Sequence, residues 1–431
     1  MPPRVLILSA TTSYRTDDFL RAAERLGVEA VLGTNRCHEL AELWPRAAFG
    51  GSVPIEFRHE AEAADVIVRE AAAAPFDAIV ATDDPTADIA ARACERLGLR
   101  GNSVGAATTA RNKRLMREAL HAAGVAAPRF AAFAADDDPA RAWRELAAAG
   151  WSFPVVVKPL LCSASRGVIR ADDEASFAAA WRRLHALLQT PALRAVEDPD
   201  GQRVLVEAFV PGPEVALEGI LRDGRLTTLA LFDKPDPLDG PFFEETIYVT
   251  PSRHAPAVQR AIAETAARAC AAIGLREGPV HAELRVSPAG VVVIEVAARS
   301  IGGLCARTLR FGLGAASLEE LVIGSALGRD LGSIAQLGAQ PNAAGVMMIP
   351  IPAGGVLGEV RGVAAARAVP LVEDVQITAK PGEVLVPLPE GAAYLGFVFA
   401  RGETPAAVEG ALRDAHARLS FDVAPLLPKL A

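Results

Sequence analysis

The segment Val280-His-Ala-Glu-Leu-Arg-Val-Ser287, Pro288-Ala-Gly290, Val291-Val-Val-Ile-Glu-Val-Ala-Ala-Arg299 is two apolar β-type runs around a short turn, the pattern of an antiparallel hairpin. A three-residue loop at 288–290 pairs Ser287 with Val291, Glu283 with Glu295 and His281 with Ala297. Two carboxylates then share one face with Cβ atoms roughly 4.5–5.5 Å apart, and like charges directly opposed are destabilising. A cation between them removes that penalty, and oxygen-only ligation by Glu283 and Glu295 suits Mg²⁺, which also holds substrate phosphates. Arg299 continues the face of Glu295 and Ala297, where it can steady a phosphoryl oxygen or a developing oxyanion. Ser300-Ile-Gly-Gly303 follows, and its Gly302 and Gly303 leave backbone N–H groups open to a substrate. Taken alone, the segment also allows an ordinary surface hairpin with solvated acids.

Lysine usage points to a partner for this hairpin. Lys113, Lys158, Lys234, Lys380 and Lys429 are the only lysines among 44 basic residues. Lys158 ends the apolar run Phe153-Pro-Val-Val-Val-Lys-Pro159 and precedes the small-residue loop Ser163-Ala-Ser-Arg-Gly-Val168. A strand that delivers an ammonium beside such a loop can grip a nucleotide phosphate, with loop N–H groups and hydroxyls on the oxygens. Val204-Leu-Val-Glu-Ala-Phe-Val210 and Pro211-Gly-Pro-Glu214 form a β-run and a proline-stiffened turn. They present Glu207 and Glu214 to a ribose or an exocyclic amine, and the Ala208–Phe209–Val210 backbone to an adenine edge. Phe232-Asp-Lys-Pro235 with Gly240-Pro-Phe-Phe-Glu-Glu245 reads equally as a substrate contact or as a turn with one surface ion pair. His281 has a packed structural histidine as its competing reading. Lys380 and Lys429 read as surface lysines. Cys162 lacks a local base, which argues against a nucleophile.

At 431 residues the chain is long enough for two to four compact units. Its net charge of -8 gives no electrostatic reason to bind nucleic acid. No stretch has the length and apolarity of a membrane span, and the N-terminus reads as a strand rather than a signal peptide. Five cysteines, at 37, 94, 162, 270 and 305, lack any CxxC spacing, which speaks against a disulfide framework or zinc cage and for a reducing cytoplasm. Apolar runs at 4–9, 28–32 and 77–81 alternate with helical periodicity at 17–26, 60–74 and 86–97, the signature of a parallel sheet covered by helices. No G-x-G-x-x-G follows the first run, so no dinucleotide is expected there. Asp83-Asp84-Pro85 stands at the carboxyl end of a strand, where ligands bind in open α/β sheets. Residues 153–210 read strand–loop–strand–helix–strand, and strands follow at 214–222, 226–232, 280–287 and 291–297. The tail from about 340 reads as a separate small β-rich module closed by a helix at 405–418.

Taken in order, these pieces resemble the ATP-grasp superfamily of carboxylate–amine ligases, and within it most closely the bacterial L-amino-acid ligases that make dipeptides. Biotin carboxylase and the purine-pathway carboxylases and ligases are similar at a greater distance. The resemblance covers nearly the whole chain and implies a fold of mixed α/β and α+β class. An N-terminal Rossmann-like half-domain would span 1–103, and an ATP-grasp domain 104–335 with a lid at about 153–210. A small β-rich C-terminal domain would span 336–431. It further implies ATP with Mg²⁺, or Mn²⁺ in its place, amino acids or a small carboxylate and an amine as substrates, and room for a homodimer. By resemblance Lys113 and Lys158 hold the α- and β-phosphates. The loop with Ser163, Ser165, Arg166 and Gly167 closes over the γ-phosphate. Glu207 and the backbone to Val210 take the adenine, Glu214 the ribose, and Glu283 and Glu295 the metal, with Arg299 at the reacting carboxylate. Lys234, Glu244, Glu245 and His281 fall to the substrate amino acids. Two departures stand out. The loop has one glycine where relatives often have several, and Ala297 replaces the asparagine usually found two residues after the second glutamate. The second departure keeps a decayed nucleotide-binding protein open as a reading, beside a carboxylase or purine-type synthetase with a different acceptor.

Overall fold

The computed structural model describes residues 1–10, 13–35, 49–196, 198–312, 314–330 and 342–426. The N-terminal unit is a parallel sheet of β1 (Arg4–Leu8), β2 (Glu29–Thr34), β3 (Phe49–Pro54) and β4 (Ala78–Ala81), in the order β3-β2-β1-β4. Both faces of β1 are covered. Val5 and Ile7 pack with Phe19, whereas Leu6 and Leu8 pack with Ile67, which explains why the strand reads as an unbroken apolar run. β3 has no counterpart in the sequence reading, because Phe49-Gly-Gly-Ser-Val-Pro54 carries no such run. Cys37 and Lys429 lie outside the described residues.

A second, antiparallel sheet joins β5 (Phe130–Ala134), β6 (Val155–Pro159), β7 (Ile169–Ala171) and β8 (Arg203–Ala208) in the order β5-β8-β6-β7. The helices Pro139–Ala148 and Glu174–Leu188 share one core with it through Trp143, Phe177 and Trp181, and Trp143 stacks on Phe153 at 3.8 Å. This corrects the lid boundary. The unit begins near residue 130 rather than 153, because β5 pairs with β8 along its whole length.

The third sheet contains β9 (Glu214–Arg222), β10 (Arg225–Asp233), β11 (Ile247–Thr250), β12 (Gly278–Ser287), β13 (Gly290–Ala297) and β14 (Ala343–Ile349). Beyond β14 the tail supplies β15 (Gly355–Arg361), β16 (Val372–Ile377), β17 (Val384–Leu385), β18 (Gly396–Gly402) and β19 (Ser420–Ala424). The order β13-β12-β9-β10-β11-β14-β18-β16 makes eight continuous strands, and β17-β15-β19 form a small sheet of their own. The tail is therefore β-rich as expected, but not separate. Every residue of β14 is buried, so the strand needs cover on both faces and a partner on both edges. The helix Pro405–His416 covers one face so closely that a Cβ at Gly345 would lie 2.8 Å from Val408 and 3.0 Å from Leu412.

The β12–β13 hairpin reaches the expected pairing by a different route. Ser287 pairs with Gly290, leaving only Pro288 and Ala289 in the turn. A register shift between Glu283 and Leu284 then adds one residue on β13, and Glu283 faces Glu295 as His281 faces Ala297. The shorter turn and the bulge cancel, so the site end of the hairpin keeps its register.

Candidate active site

One cavity of about 280 Å³ lies where the two antiparallel sheets, the N-terminal unit and the tail meet. Its cationic end is built by a helix cap. Asn112 Oδ1 accepts from the Arg114 and Leu115 N–H groups at 3.0 and 3.2 Å, which starts the helix Lys113–Ala122. Lys113 thus adds its own charge to the positive end of that helix. Its Nζ donates to the Cys162 carbonyl at 2.7 Å and to Glu295 Oε1 at 3.4 Å.

Lys158, on β6, turns its Nζ to Glu207 Oε2 at 2.6 Å, and Glu207 Oε1 accepts from Arg117 Nε at 2.7 Å. All three side chains are buried. Burial pushes the Glu207 carboxyl up, but Arg117 and Lys158 outweigh it and hold it below the usual carboxylate range. Burial pushes the Lys158 ammonium down against the pull of Glu207, and the neighbouring Arg117 and Lys113 lower it further. Glu207, expected at the adenine, thus has both oxygens committed to cations. Beside it, Ala164 and Ser165 both adopt φ 54°. Two successive non-glycine residues in the left-handed region cost about 1–3 kcal/mol each and cluster at ligand clamps. The loop keeps a glycine-like shape without glycine there. Its Ser163 and Ser165 line the cavity, whereas Arg166 and Gly167 turn to the tail. Arg166 Nε donates to the Glu390 carbonyl at 2.9 Å and the Gly167 N–H to the Pro389 carbonyl at 2.7 Å.

Glu214 is likewise committed, accepting from Lys234 Nζ at 2.8 Å and Arg285 Nε at 2.9 Å. Lys234 is no surface turn lysine. It is buried among Glu214, Glu245 and Glu283, whose carboxylate oxygens lie within 4.8 Å of one another. Burial alone would lower the Lys234 ammonium, but the three acids raise it well above its ordinary value. The ammonium fills the role a cation would have in such a cluster. Burial and the Glu283 charge push the Glu245 carboxyl up to about 7 despite Lys234.

His281 turns Nδ1 to Glu218 Oε1 and Nε2 to Glu283 Oε1, the latter at 3.4 Å. Burial works against a charged ring, but the two carboxylates lift it to about 9, so the imidazole is an imidazolium at neutral pH rather than a metal ligand opposite Ala297. Glu218 Oε2 accepts from the Ile301 N–H at 3.0 Å, which fixes the chain just before Gly302. Arg299 forms a two-pronged bond with Asp84, Nε to Oδ1 and Nη2 to Oδ2, both at 2.9 Å. This bond ties the hairpin to the strand end flagged in the N-terminal unit.

The cavity thus brings together Lys113, Lys158, Ser163, Ser165, Glu207, Ala208, Phe209, Val210, Glu214, Glu245, His281, Glu283, Glu295, Arg299, Gly302 and Gly303. Arg166, Gly167, Lys234 and Glu244 do not line it. Sequence reasoning missed Arg117, Glu218 and Arg285. Glu218 was detectable as a lone acid inside the apolar run Val215-Ala-Leu-Glu-Gly-Ile-Leu221. Arg117 carries no signal, because a helix with Arg114 and Glu118 beside it looks solvent-facing. Cys162 lines the cavity, but burial raises its thiol, in keeping with its reading as no nucleophile.

Residues 151–308 match an ATP-grasp domain, residues 20–101 an ATP-grasp N-terminal domain, and residues 347–424 an L-amino acid ligase C-terminal domain 2. The alanine–anticapsin ligase of Bacillus subtilis is 30% identical over 261 residues, 56% of this chain and 52% of that protein. Dapdiamide A synthase of Enterobacter agglomerans is 28% identical over 215 residues, 49% of this chain and 47% of that protein. The chain spans about half the length of the curated relatives it matches. Among solved structures, the L-amino acid ligase of Bacillus licheniformis superposes with a TM-score of 0.78 at 25% identity, covering 98% of this chain and 99% of that one. Phosphoribosylglycinamide synthetase of Anaerococcus prevotii, at 0.69 and 14% over 98% and 100%, is similar in fold alone. The architecture expected from the sequence is the one observed.

Proposed function

The chain belongs to the ATP-grasp superfamily, and on that premise we propose that it is an ATP-dependent ligase that joins an amino-acid carboxylate to an amine. The observation that carries this reading is the continuity of one cavity from Lys113 and Lys158, past the facing carboxylates Glu283 and Glu295, to Arg299 and Gly302. Phosphate, metal and substrate groups have adjoining places there.

The donor set fits a divalent cation. Glu283 and Glu295 offer the hard carboxylate oxygens that Mg²⁺ takes, and such an ion supplies charge neutralisation on a transferring phosphoryl group. Lys113 and Lys158 bind and orient the phosphates, largely a positioning and electrostatic task. A substrate carboxylate oxygen attacks the γ-phosphorus, the bond to the ADP oxygen breaks, and ADP leaves with that electron pair. The amine, having lost a proton, attacks the acyl carbon, and collapse of the tetrahedral oxyanion expels phosphate. Arg299 stands by that oxyanion, held in orientation by Asp84. Gly302 faces open space, since a Cβ there would meet nothing within 4 Å. The lid excludes water from the acyl phosphate, and its loop is fastened to Pro389 and Glu390.

Nucleotide products test the route. With a mixture of amino acids, ATP is expected to yield ADP and phosphate in step with amide formation. Chromatographic detection of AMP and pyrophosphate would exclude it, and ADP release that needs bicarbonate instead would favour a carboxylase. A second expectation concerns Ala297. Magnesium tolerates retained waters, so the wild-type protein turns over, and Ala297→Asn lowers the magnesium needed for half-maximal ADP release roughly three- to tenfold, at most about 1.4 kcal/mol. Turnover found only in Ala297→Asn would mark Ala297 as the lesion of a decayed enzyme.

A further inference from the structure

The chain contains three tyrosines in 431 residues, at positions 14, 248 and 394, and all three line this one cavity. They come from the loop after β1, from β11 and from the turn before β18, so neither a local repeat nor a single element explains their meeting. Each ring is backed on its far side. Tyr14 meets Phe397 edge-on at 5.5 Å, Tyr394 meets the same ring at 6.3 Å, and Tyr248 meets Phe232 at 5.7 Å. Met348, on β14, completes the wall. Burial raises the phenol of Tyr14, and that of Tyr248 and Tyr394 well above the ordinary value, the mark of a dry compartment. Gly303 lets the wall close, because a Cβ there would lie 2.9 Å from the Phe397 ring.

The wall begins one ammonium away from the hairpin carboxylates. Lys234 Nζ is 2.9 Å from Glu283 Oε1 and 5.0 Å from the Tyr248 ring centre. An α-amino acid whose carboxylate lies at Glu283 and Arg299 therefore reaches the rings with its side chain. Resting on the ligase reading above, we infer that Tyr14, Tyr248, Tyr394 and Met348 form a side-chain compartment selecting a bulky apolar or aromatic amino acid as the partner whose carboxylate is activated. The physical basis is area and rigidity. Fully burying a large apolar side chain is worth about 1.5–3 kcal/mol, ring pairs add about 0.5–1.5 kcal/mol, and a thioether adapts to the remaining gap. A charged side chain finds no free counter-ion among these rings and must shed its water.

The experiment measures phosphate release by the full chain with ATP, Mg²⁺ and single amino acids, using phenylalanine, leucine, alanine, aspartate and lysine as probes at a fixed concentration of a common amine acceptor. The expected kcat/KM for phenylalanine or leucine exceeds that for alanine at least tenfold and that for aspartate or lysine at least a hundredfold. Tyr394→Ala is expected to reduce the phenylalanine-to-alanine ratio at least fivefold with the KM for ATP unchanged, and Tyr394→Phe to preserve it. Preference for alanine or for a charged amino acid, with turnover intact, overturns the compartment while leaving the ligase reading standing. A bulky preference untouched by Tyr394→Ala overturns the tyrosine assignment. If Tyr394→Ala fails to fold, the wild-type profile and Met348→Ala decide in the same way. No phosphate release with any amino acid, although ATP still binds, brings down the ligase reading itself and this inference with it.

Discussion

Glu207→Gln is expected to lower the unfolding free energy by about 3–5 kcal/mol, the cost of leaving a buried charge unpaired. The substitution keeps the shape of the side chain and removes only its charge. Glu207 is 3% exposed, Lys158 4% and Arg117 0%, so neither cation can turn to water for compensation. Arg117 is held on a helix and Lys158 on a strand, and the carboxylate bridges the two at 2.7 and 2.6 Å. Because the folded carboxyl is held below its usual range, its stabilisation is fully present above the ordinary carboxylate pKa. It is lost as pH falls through the depressed folded value. Denaturant unfolding of wild type and variant at neutral pH, repeated in acid where the difference should shrink, checks both statements. A variant with less than about 1 kcal/mol of lost stability but much weaker ATP binding would return Glu207 to the adenine.

Glu295→Gln is expected to act in the opposite way, removing turnover and sparing the fold. The Glu295 side chain is 27% exposed, and its printed partner, Lys113, stands 3.4 Å away and keeps a second bond to the Cys162 carbonyl. Losing this carboxylate therefore strands no buried charge. It does remove half of the oxygen pair that faces the phosphates, and loss of one electrostatic partner at a developing charge costs about 2.7–4 kcal/mol, or roughly 10²–10³ in kcat. Phosphate release and an unfolding curve on the same preparation separate the two effects. Near-normal turnover in Glu295→Gln would sink the hairpin as the metal-binding unit. Lys380→Ala, at an exposed position, serves as the silent control.

The difference between these two glutamates marks the limit of reading a site in one dimension. Both were legible as site residues, Glu207 at the end of a β-run and Glu295 across a hairpin from Glu283. Only the fold shows that Glu207 faces inward to Arg117, a residue from a distant helix with no sequence mark. Lys234 repeats the lesson, since its neighbours Asp233 and Pro235 suggest a surface turn. The acids that bury it come from β9, β12 and the segment before β11. Lys158 and its loop were legible because the strand, the ammonium and the small residues are contiguous. The failure at 288–290 was harmless, because a bulge compensated the turn length and left the facing pairs in place.

The sequence by itself determined what depends on near neighbours. Periodicity of two or 3.6 residues, caps such as Asn112, and the hairpin pairing of Glu283 with Glu295 are set by contacts a few residues apart, and local order is enough to write them down. Tertiary structure alone decided which charges are buried together, where the lid begins, and that the tail continues the central sheet. It also decided that Tyr14, Tyr248 and Tyr394 share one wall. Those outcomes depend on strand order and on the free energy of removing charge and apolar surface from water, which is set by neighbours hundreds of residues away in the chain.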